Sequence, residues 1–216
     1  MTNWNQTLNR LLSDNKPSDA VIDIKLDDDA DDEVTIDLPE ELPILPLRGL
    51  VVYPQTAIPL TVGQARSIKL IDDVVAGDRK VGLVASLKPE LDTPGPDDIY
   101  QVGTLATIHR LFRAPDGTIR LLIQGLQRIH IDEYVETEPY LKARVSRIPE
   151  DETITHDDIE VEALVRSVVD QFQALAELMP SIPSELVANA LNVDDPLQLV
   201  YAIATYVRID LEEAQR

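Results

Sequence analysis

An α+β fold, with strands first and most helices last, follows from three features of this sequence. Apolar residues alternate with polar ones through the middle of the chain, as they do in half-buried strands. A Pro115-Asp116-Gly117 turn joins two long β-rich runs. After residue 150 the apolar residues recur three and four apart, the period of amphipathic helices.

Charge divides the chain at the same places. Residues 1–41 carry 12 acidic and 3 basic side chains, residues 42–149 carry 12 and 13, and residues 150–216 carry 15 and 3, within a net charge of −20 over 216 residues. Three segments are expected: an acidic, largely disordered extension over 1–41, a β domain over 42–149 and a helical subdomain over 150–216. A chain this negative repels phosphate backbones, which argues against nucleic acid as its partner. The absence of cysteine excludes a disulfide scaffold, a thiolate zinc site and a cysteine nucleophile, and it fits a reducing compartment. The start lacks a basic head followed by an apolar core, and no apolar run approaches the ~18 residues of a membrane helix. The expectation is a soluble, cytoplasmic protein without membrane contact.

In the acidic segment, Asp27, Asp29 and Asp31 mimic the first ligand positions of a calcium loop. Asp32 stands where that loop needs glycine, and Leu38 where it needs a bidentate glutamate, so no metal is expected there. The β domain opens on LPILPLRGLVVYPQTAIPLTVG, an apolar run interrupted by Pro43, Pro46, Pro54 and Pro59. Proline has no N–H to give a ladder, so these positions belong at edges, strand starts and bulges.

AIPLTV and KVGLVASL read as strands, separated by a helix over GQARSIKLIDDVVAG whose apolar positions are Ile68, Ile71, Val74 and Val75. A long hairpin then runs from ATIHRLFR through the Pro-Asp-Gly turn to IRLLIQGLQRIHI. On its return strand Leu121, Ile123, Ile129 and Ile131 form one face, and Gly125 marks a bulge or a barrel-like bend. YLKARVSRI is the last strand, ending at Pro149.

In the helical segment Val161, Leu164, Val168, Phe172, Leu175 and Met179 form one stripe, with Thr155 as its cap and Asp158 favouring its N-terminus. MPSIP ends that helix. A short one follows over SELVANAL, and Asp195-Pro196 opens another over PLQLVYAIATYV. DLEEAQR reads as a further helix beginning where the sequence stops, the expectation being that a parent protein continues.

Catalytic signatures are missing. GDRKVG has the spacing of a phosphate loop, but Leu83-Val84 follow where lysine and a hydroxyl are required, so a turn into a strand is the simpler reading. Neither a G-x-S-x-G elbow nor an H-E-x-x-H helix occurs. His109 and His130 lie on adjacent strands of the hairpin, but two ligands without a third make a poor metal site. No catalytic, cofactor-binding or metal-binding residue is assigned, and the chain reads as a binding module.

Taken together, Pro43, Leu45 to Arg48, Val51 to Pro54, Pro59 to Gly63 and Ser67 resemble the start of the N-terminal substrate-binding domain of Lon, the ATP-dependent bacterial protease. The resemblance continues through VGTLATI, PDGTIR, QGLQR, PYLKARV, ALAELMPSIPSEL, NVDDPLQL and DLEEAQR, so it covers residues 42–216. Tyr53 replaces the usual phenylalanine, Gln64 stands where a basic residue is common, and the acidic extension is longer than usual.

The resemblance implies a PUA-like β pseudobarrel with one helix, followed by a small α-helical bundle subdomain. It also implies a non-catalytic role: binding misfolded, unfolded or degron-tagged proteins and recruiting them to a homohexameric ring of sister subunits. Full Lon proteins carry an ATPase domain, which uses ATP and Mg, and a Ser-Lys protease domain. This sequence shows neither motif, so it resembles a Lon stopped after its N-terminal domain, with no cofactor of its own.

Leu50, Tyr53, Pro54, Leu91, Tyr100 and Phe112 are the candidate apolar contacts for substrate. One rival reading is RNA binding through Arg110, Arg113, Arg120 and Arg128 on the hairpin, where base-stacking aromatics are few. Another is an assembly module whose acidic helices touch neighbouring subunits.

Overall fold

The computed structural model describes residues 38–149, 159–178, 188, 195–207 and 209–215. Their strands are β1 (Glu41–Leu47), β2 (Ala57–Val62), β3 (Lys80–Ala85), β4 (Val102–Arg113), β5 (Ile119–Glu136) and β6 (Lys142–Arg147). Helix α1 (Ala65–Ala76) lies between β2 and β3. Three helices follow the sheet: α2 (Ile159–Leu178), α3 (Pro196–Tyr206) and α4 (Leu211–Gln215). The sheet order is β2-β5-β4-β3-β1-β6, and β6 also pairs with β5. That second pairing closes β5, β4, β3, β1 and β6 into a ring, with β2 added along the first half of β5.

The prolines fall where backbone donors are not wanted. β1 changes partner in mid-strand: residues 41–43 pair antiparallel with β6, and residues 44–47 pair parallel with β3. Ile44 N–H donates to the Leu141 carbonyl (2.8 Å), and the Leu47 carbonyl accepts from Ser86 N–H (2.7 Å). Even positions therefore face the β6 side and odd positions the β3 side. Pro43 faces β3 before that pairing begins, and Pro46 faces β6 after that pairing has ended. On β2, the Thr56 carbonyl accepts from Gly125 N–H (2.9 Å), so residues 58, 60 and 62 face β5 and Pro59 faces outward. Pro54 is different: it lies in the β1–β2 loop and is fully buried.

Two apolar clusters fill the closed sheet. The first joins Leu45, Leu47, Val52, Leu60, Ile108, Leu121 and Ile123 to Leu70, Ile71 and Val74 of α1. The helix buries Leu70 in addition to the predicted Ile71 and Val74, with Ile68 and Val75 half-buried beside them. The second cluster gathers Leu42, Ile44, Val84, Ile99, Leu105, Ile129, Ile131 and Leu141. Leu38 packs against it and Glu41 is already in β1, bridged to Lys142 at 2.8 Å. The fold thus begins before residue 42, inside the segment expected to be disordered.

The hairpin forms as predicted. Gly117 adopts φ 84°, its N–H donates to the Ala114 carbonyl (3.0 Å), and Asp116 Oδ1 accepts from the Thr118 backbone N–H (2.9 Å) and hydroxyl (2.7 Å). Those two bonds also hold the Asp116 carboxyl below its usual range. Leu105 pairs with Gln127 while Ala106 pairs with Gly125, so one extra residue of β5 bulges between them. A Cβ on Gly125 would lie 2.3 Å from the Tyr53 carbonyl oxygen, which is why no side chain fits at the bend. Arg66 ties the far loops together, donating to the carbonyls of Pro139 (3.1 Å), Pro94 (3.4 Å) and Thr137.

Among the helices, Phe172 and Leu199 form the buried centre of an α2–α3 contact that also uses Val165, Val169, Ala202, Ile203 and Val207. Leu164 was expected in the packed stripe but is 66% exposed, because the stripe centres on Val165, Val169 and Phe172 instead. Asp195 caps α3, its Oδ1 accepting from Leu197 N–H (2.9 Å), with Pro196 as the first helical residue. Asp210 caps α4 in the same way through Glu212 N–H (3.1 Å). The calcium-like aspartates, Thr155, Asp158, Met179, the MPSIP break and the SELVANAL helix, apart from Ala188, lie outside the described residues.

Two outcomes follow from this packing. Gly125→Ala should cost about 2–3 kcal/mol in a denaturant titration, because the methyl group and the Tyr53 backbone cannot share the space. Burial, with Asp97 as the lesser cause, pushes the Tyr134 phenol up to about 12. A tyrosine ionises near ~10 when unfolded, so between pH ~10 and ~12 the unfolded chain releases a proton that the folded chain keeps. Stability is therefore complete below pH ~10 and falls as pH rises towards 12. Tyr134→Phe should lose less stability than wild type over that interval.

Candidate functional site

The β1–β2 loop is held in one shape from several sides. Gly49 (φ 63°) and Gln55 (φ 58°) take left-handed conformations near its ends. The buried Thr104 hydroxyl donates to the Val52 carbonyl (2.6 Å), the Thr56 hydroxyl donates to the Tyr53 carbonyl (2.7 Å), and Gln55 N–H donates to the Gly125 carbonyl (2.9 Å). Residues 50–54 are thereby presented to two different sides of the molecule.

On one side is a groove of about 390 Å³ between two unpaired strand edges. One wall is the end of β1 with Leu45, Pro46, Leu47, Arg48 and Leu50, and the other runs from Leu60 on β2 to Ser67 on α1. Leu50 is 39% exposed. Arg48 spans the neighbouring loop, donating through Nη2 to the Leu91 carbonyl and to Asp92 Oδ1, both at 2.9 Å. Pro46 occupies an outward-facing position on the β1 wall and Pro59 one on the β2 edge just before the other wall begins, so each edge keeps carbonyl acceptors but loses a donor. The groove mixes polar and apolar lining, and a strand cannot simply add to its β1 wall.

On the other side a smaller cavity of about 170 Å³ separates the loop from the last helices. Val52, Tyr53, Pro54, Gly103, Thr104 and Arg128 line it from the sheet, and Tyr201, Ala214 and Gln215 from α3 and α4. The rings of Tyr53 and Tyr201 stack with centroids 5.8 Å apart and planes 19° apart. Tyr53 donates its hydroxyl to the Ala214 carbonyl (3.4 Å), and Gln215 Nε2 donates to the Val102 carbonyl (2.8 Å). Burial under these helices pushes the Tyr53 phenol up.

The six residues picked from sequence do not form one patch. Leu50 lies in the groove, with half-buried Leu91 joined to it through Arg48. Tyr53 and Pro54 line the cavity, and the burial of Pro54 rules it out as an open contact residue. Tyr100 is half-buried against the second core cluster. Phe112 sits apart on the hairpin, 38% exposed. Sequence reasoning missed Arg48, Tyr201 and Gln215, because nothing in the spacing of residues 48, 53, 201 and 215 couples them.

The other candidate sites are corrected by geometry. His109 Nε2 lies 2.6 Å from Gln124 Oε1, whereas His130 is paired across from Val102, so the two histidines do not meet. His130 Nδ1 lies 3.0 Å from Asp132 Oδ1, and Ser146 Oγ donates to the same oxygen (2.9 Å). These contacts, the histidine first, lower the Asp132 carboxyl. The hydroxyl bonds the Asp132 carboxylate rather than the imidazole, so the Ser–His contact of a hydrolytic triad is not made here. Among the described residues no three metal-ligating side chains come together. The four hairpin arginines are dispersed as well: Arg113 pairs with Asp72, Arg128 lines the cavity, and only Arg110 and Arg120 share a face.

What remains is a closed sheet domain with two recesses on either side of the β1–β2 loop. The fold is shared with the N-terminal domain of a Mycobacterium avium complex Lon protease at a TM-score of 0.59 and 20% identity, covering 82% of this chain and 94% of that one. A family model described as the ATP-dependent protease La (LON) substrate-binding domain matches residues 41–216, and the chain belongs to that family. The Lon protease of Dictyoglomus thermophilum is 45% identical over 181 residues, 84% of this chain and 22% of that protein. That of Escherichia coli K12 is 37% identical over 175 residues, 81% and 22% respectively. The chain therefore spans about a fifth of the length of the curated relatives it matches. No described helix is long and apolar enough to cross a membrane.

The stacked tyrosines give a direct test of how the helices are held. Tyr53→Ala should increase amide exchange across residues 196–215 while leaving the protection of β4 and β5 intact, since an aromatic pair contributes about 0.5–1.5 kcal/mol beyond its area.

Proposed function

We propose that this chain is the non-catalytic recognition module of an ATP-dependent Lon-type protease, built on a PUA-like barrel with a helical bundle beside it. It binds unfolded or degron-bearing proteins and delivers them to a hexameric ATPase–protease ring formed with sister subunits in the cytoplasm. ATP and Mg belong to that ring and not to this chain. The observation that carries the reading is the groove between β1 and β2, where Leu50 and, in part, Pro46 stay open to solvent beside a β1 edge whose outward proline hinders strand addition. A receptor for unfolded chains needs that combination. It must meet apolar segments through side chains without being drawn into aggregation by its own backbone.

Amide NMR titration of the chain with a permanently unfolded protein tests the reading. Shifts confined to residues 45–50 and 60–67, persisting in moderate salt, are expected; a wholly unshifted spectrum would sink it. Leu50→Ser should weaken binding about threefold to tenfold, the scale of one exposed aliphatic side chain. The melting temperature should stay within about a degree, because Leu50 is outside both core clusters.

A further inference from the structure

The cavity between the β1–β2 loop and helices α3 and α4 has one charged lining residue, Arg128. Strand register sets Arg128 opposite Thr104, with His130 opposite Val102 two residues along, so all four belong to one face of the sheet. Every residue around the cavity is buried or half-buried. Among the described residues the Arg128 guanidinium makes no hydrogen bond or ion pair. Asp132 is held by His130 and Ser146, and Glu212 and Glu213 of α4 are exposed and do not line the cavity. A guanidinium held partly out of water without a carboxylate forgoes solvation that nothing replaces. The neighbouring donors are already in use. The hydroxyls of Thr104 and Tyr53 donate to the Val52 and Ala214 carbonyls, and the Gln215 amide donates to the Val102 carbonyl. Arg128 is the charged donor left for a ligand.

We propose that this cavity binds a small monocarboxylate with a planar apolar body, the carboxylate on Arg128 and the body among Val52, Pro54, Leu83 and the two stacked tyrosines. The volume of about 170 Å³ admits one ring-sized group, since a cavity of about 150 Å³ takes benzene. Arginine offers a carboxylate two parallel N–H groups, a stronger and more directional pairing than with a neutral acceptor. Partial burial strengthens that pairing because water competes less. The net charge of −20 repels anions at long range, so a ligand with one negative charge is favoured over one with two. The bound molecule touches the sheet through Arg128 and the helices through Tyr201 and Gln215, and so holds α3 and α4 against the loop. This role is separate from capture of unfolded protein in the β1–β2 groove and does not rest on it.

Amide NMR titration of the chain with benzoate, benzamide and acetate at constant ionic strength tests the site. Benzoate should shift residues 53, 103, 104, 128, 201 and 215 with a Kd of about 1 mM, the scale of so small a ligand. Benzamide and acetate should each bind about tenfold more weakly, one lacking the charge and the other the ring. Arg128→Gln should reduce benzoate to the benzamide level, whereas Arg128→Lys should keep part of the binding. Saturating benzoate should slow amide exchange in α3 and α4, and Tyr53→Ala, which loosens those helices, should weaken benzoate in turn. Equal shifts from benzamide, or benzoate shifts that spare these residues, would overturn the proposal. So would acetate matching benzoate, the behaviour of a plain anion site. These comparisons use the wild-type chain and hold even where Arg128→Gln does not fold. N-acetylphenylalanine separates two sources of the same chemistry: binding tighter than benzoate assigns the carboxylate to a chain end, and weaker binding assigns it to a free small acid.

Discussion

The backbone of β5 passes so close to the β1–β2 loop that only glycine fits at residue 125, and much of the molecule depends on that approach. The 18-residue strand pairs with β2 and the far half of β4 before this point, and with the near half of β4 and β6 after it. The bend divides the interior into two clusters and lets one strand belong to both. It also fixes the loop, since Gly125 exchanges hydrogen bonds with Gln55 and Thr56 on either side of the crowded Tyr53 carbonyl. The shape of residues 50–54, and hence of both recesses beside them, is a consequence of how β5 bends.

A second constraint is what the strand edges are made of. β1 serves two partners in succession, and each of its prolines faces the partner that is not there. β2 has a partner on one side only and puts Pro59 on the other. A sheet that closes on itself still leaves these short edges exposed, and removing donors is one of the few ways to keep them from recruiting other strands. The same device limits backbone pairing beside the groove, at whose rim Leu50 stays exposed.

The contacts that hold helices α3 and α4 over the opposite side of the loop include the Tyr53–Tyr201 stack and the hydrogen bonds Tyr53–Ala214 and Gln215–Val102. The helices contribute Tyr201, Ala214 and Gln215 to a cavity that the sheet could not enclose alone. Tyr53, which on a bare sheet would face solvent, becomes a joint between two parts of the molecule.

Sequence by itself determined the element types, the hairpin with its Asp116-Gly117 turn, the Asp195 cap and the family. These rest on periodicity, turn chemistry and motifs separable along the chain, all of them local. It also flagged Gly125 as a bend and Pro43, Pro46 and Pro59, though not the buried loop residue Pro54, as edge residues, since both follow from a single residue's backbone chemistry. It did not determine which apolar residues stay exposed. Leu50, Pro54 and Tyr100 look alike in sequence, yet one lines an open groove, one is buried and one packs on the core. Nor did it separate the four arginines, or choose Val165 over Leu164 as the packed residue of α2. Those outcomes depend on register, on which strand passes behind which loop, and on contacts such as Tyr53 with Tyr201 that join residues far apart in the chain. Only the tertiary structure sets them, because burial is a property of what lies across from a residue and not of the residue itself.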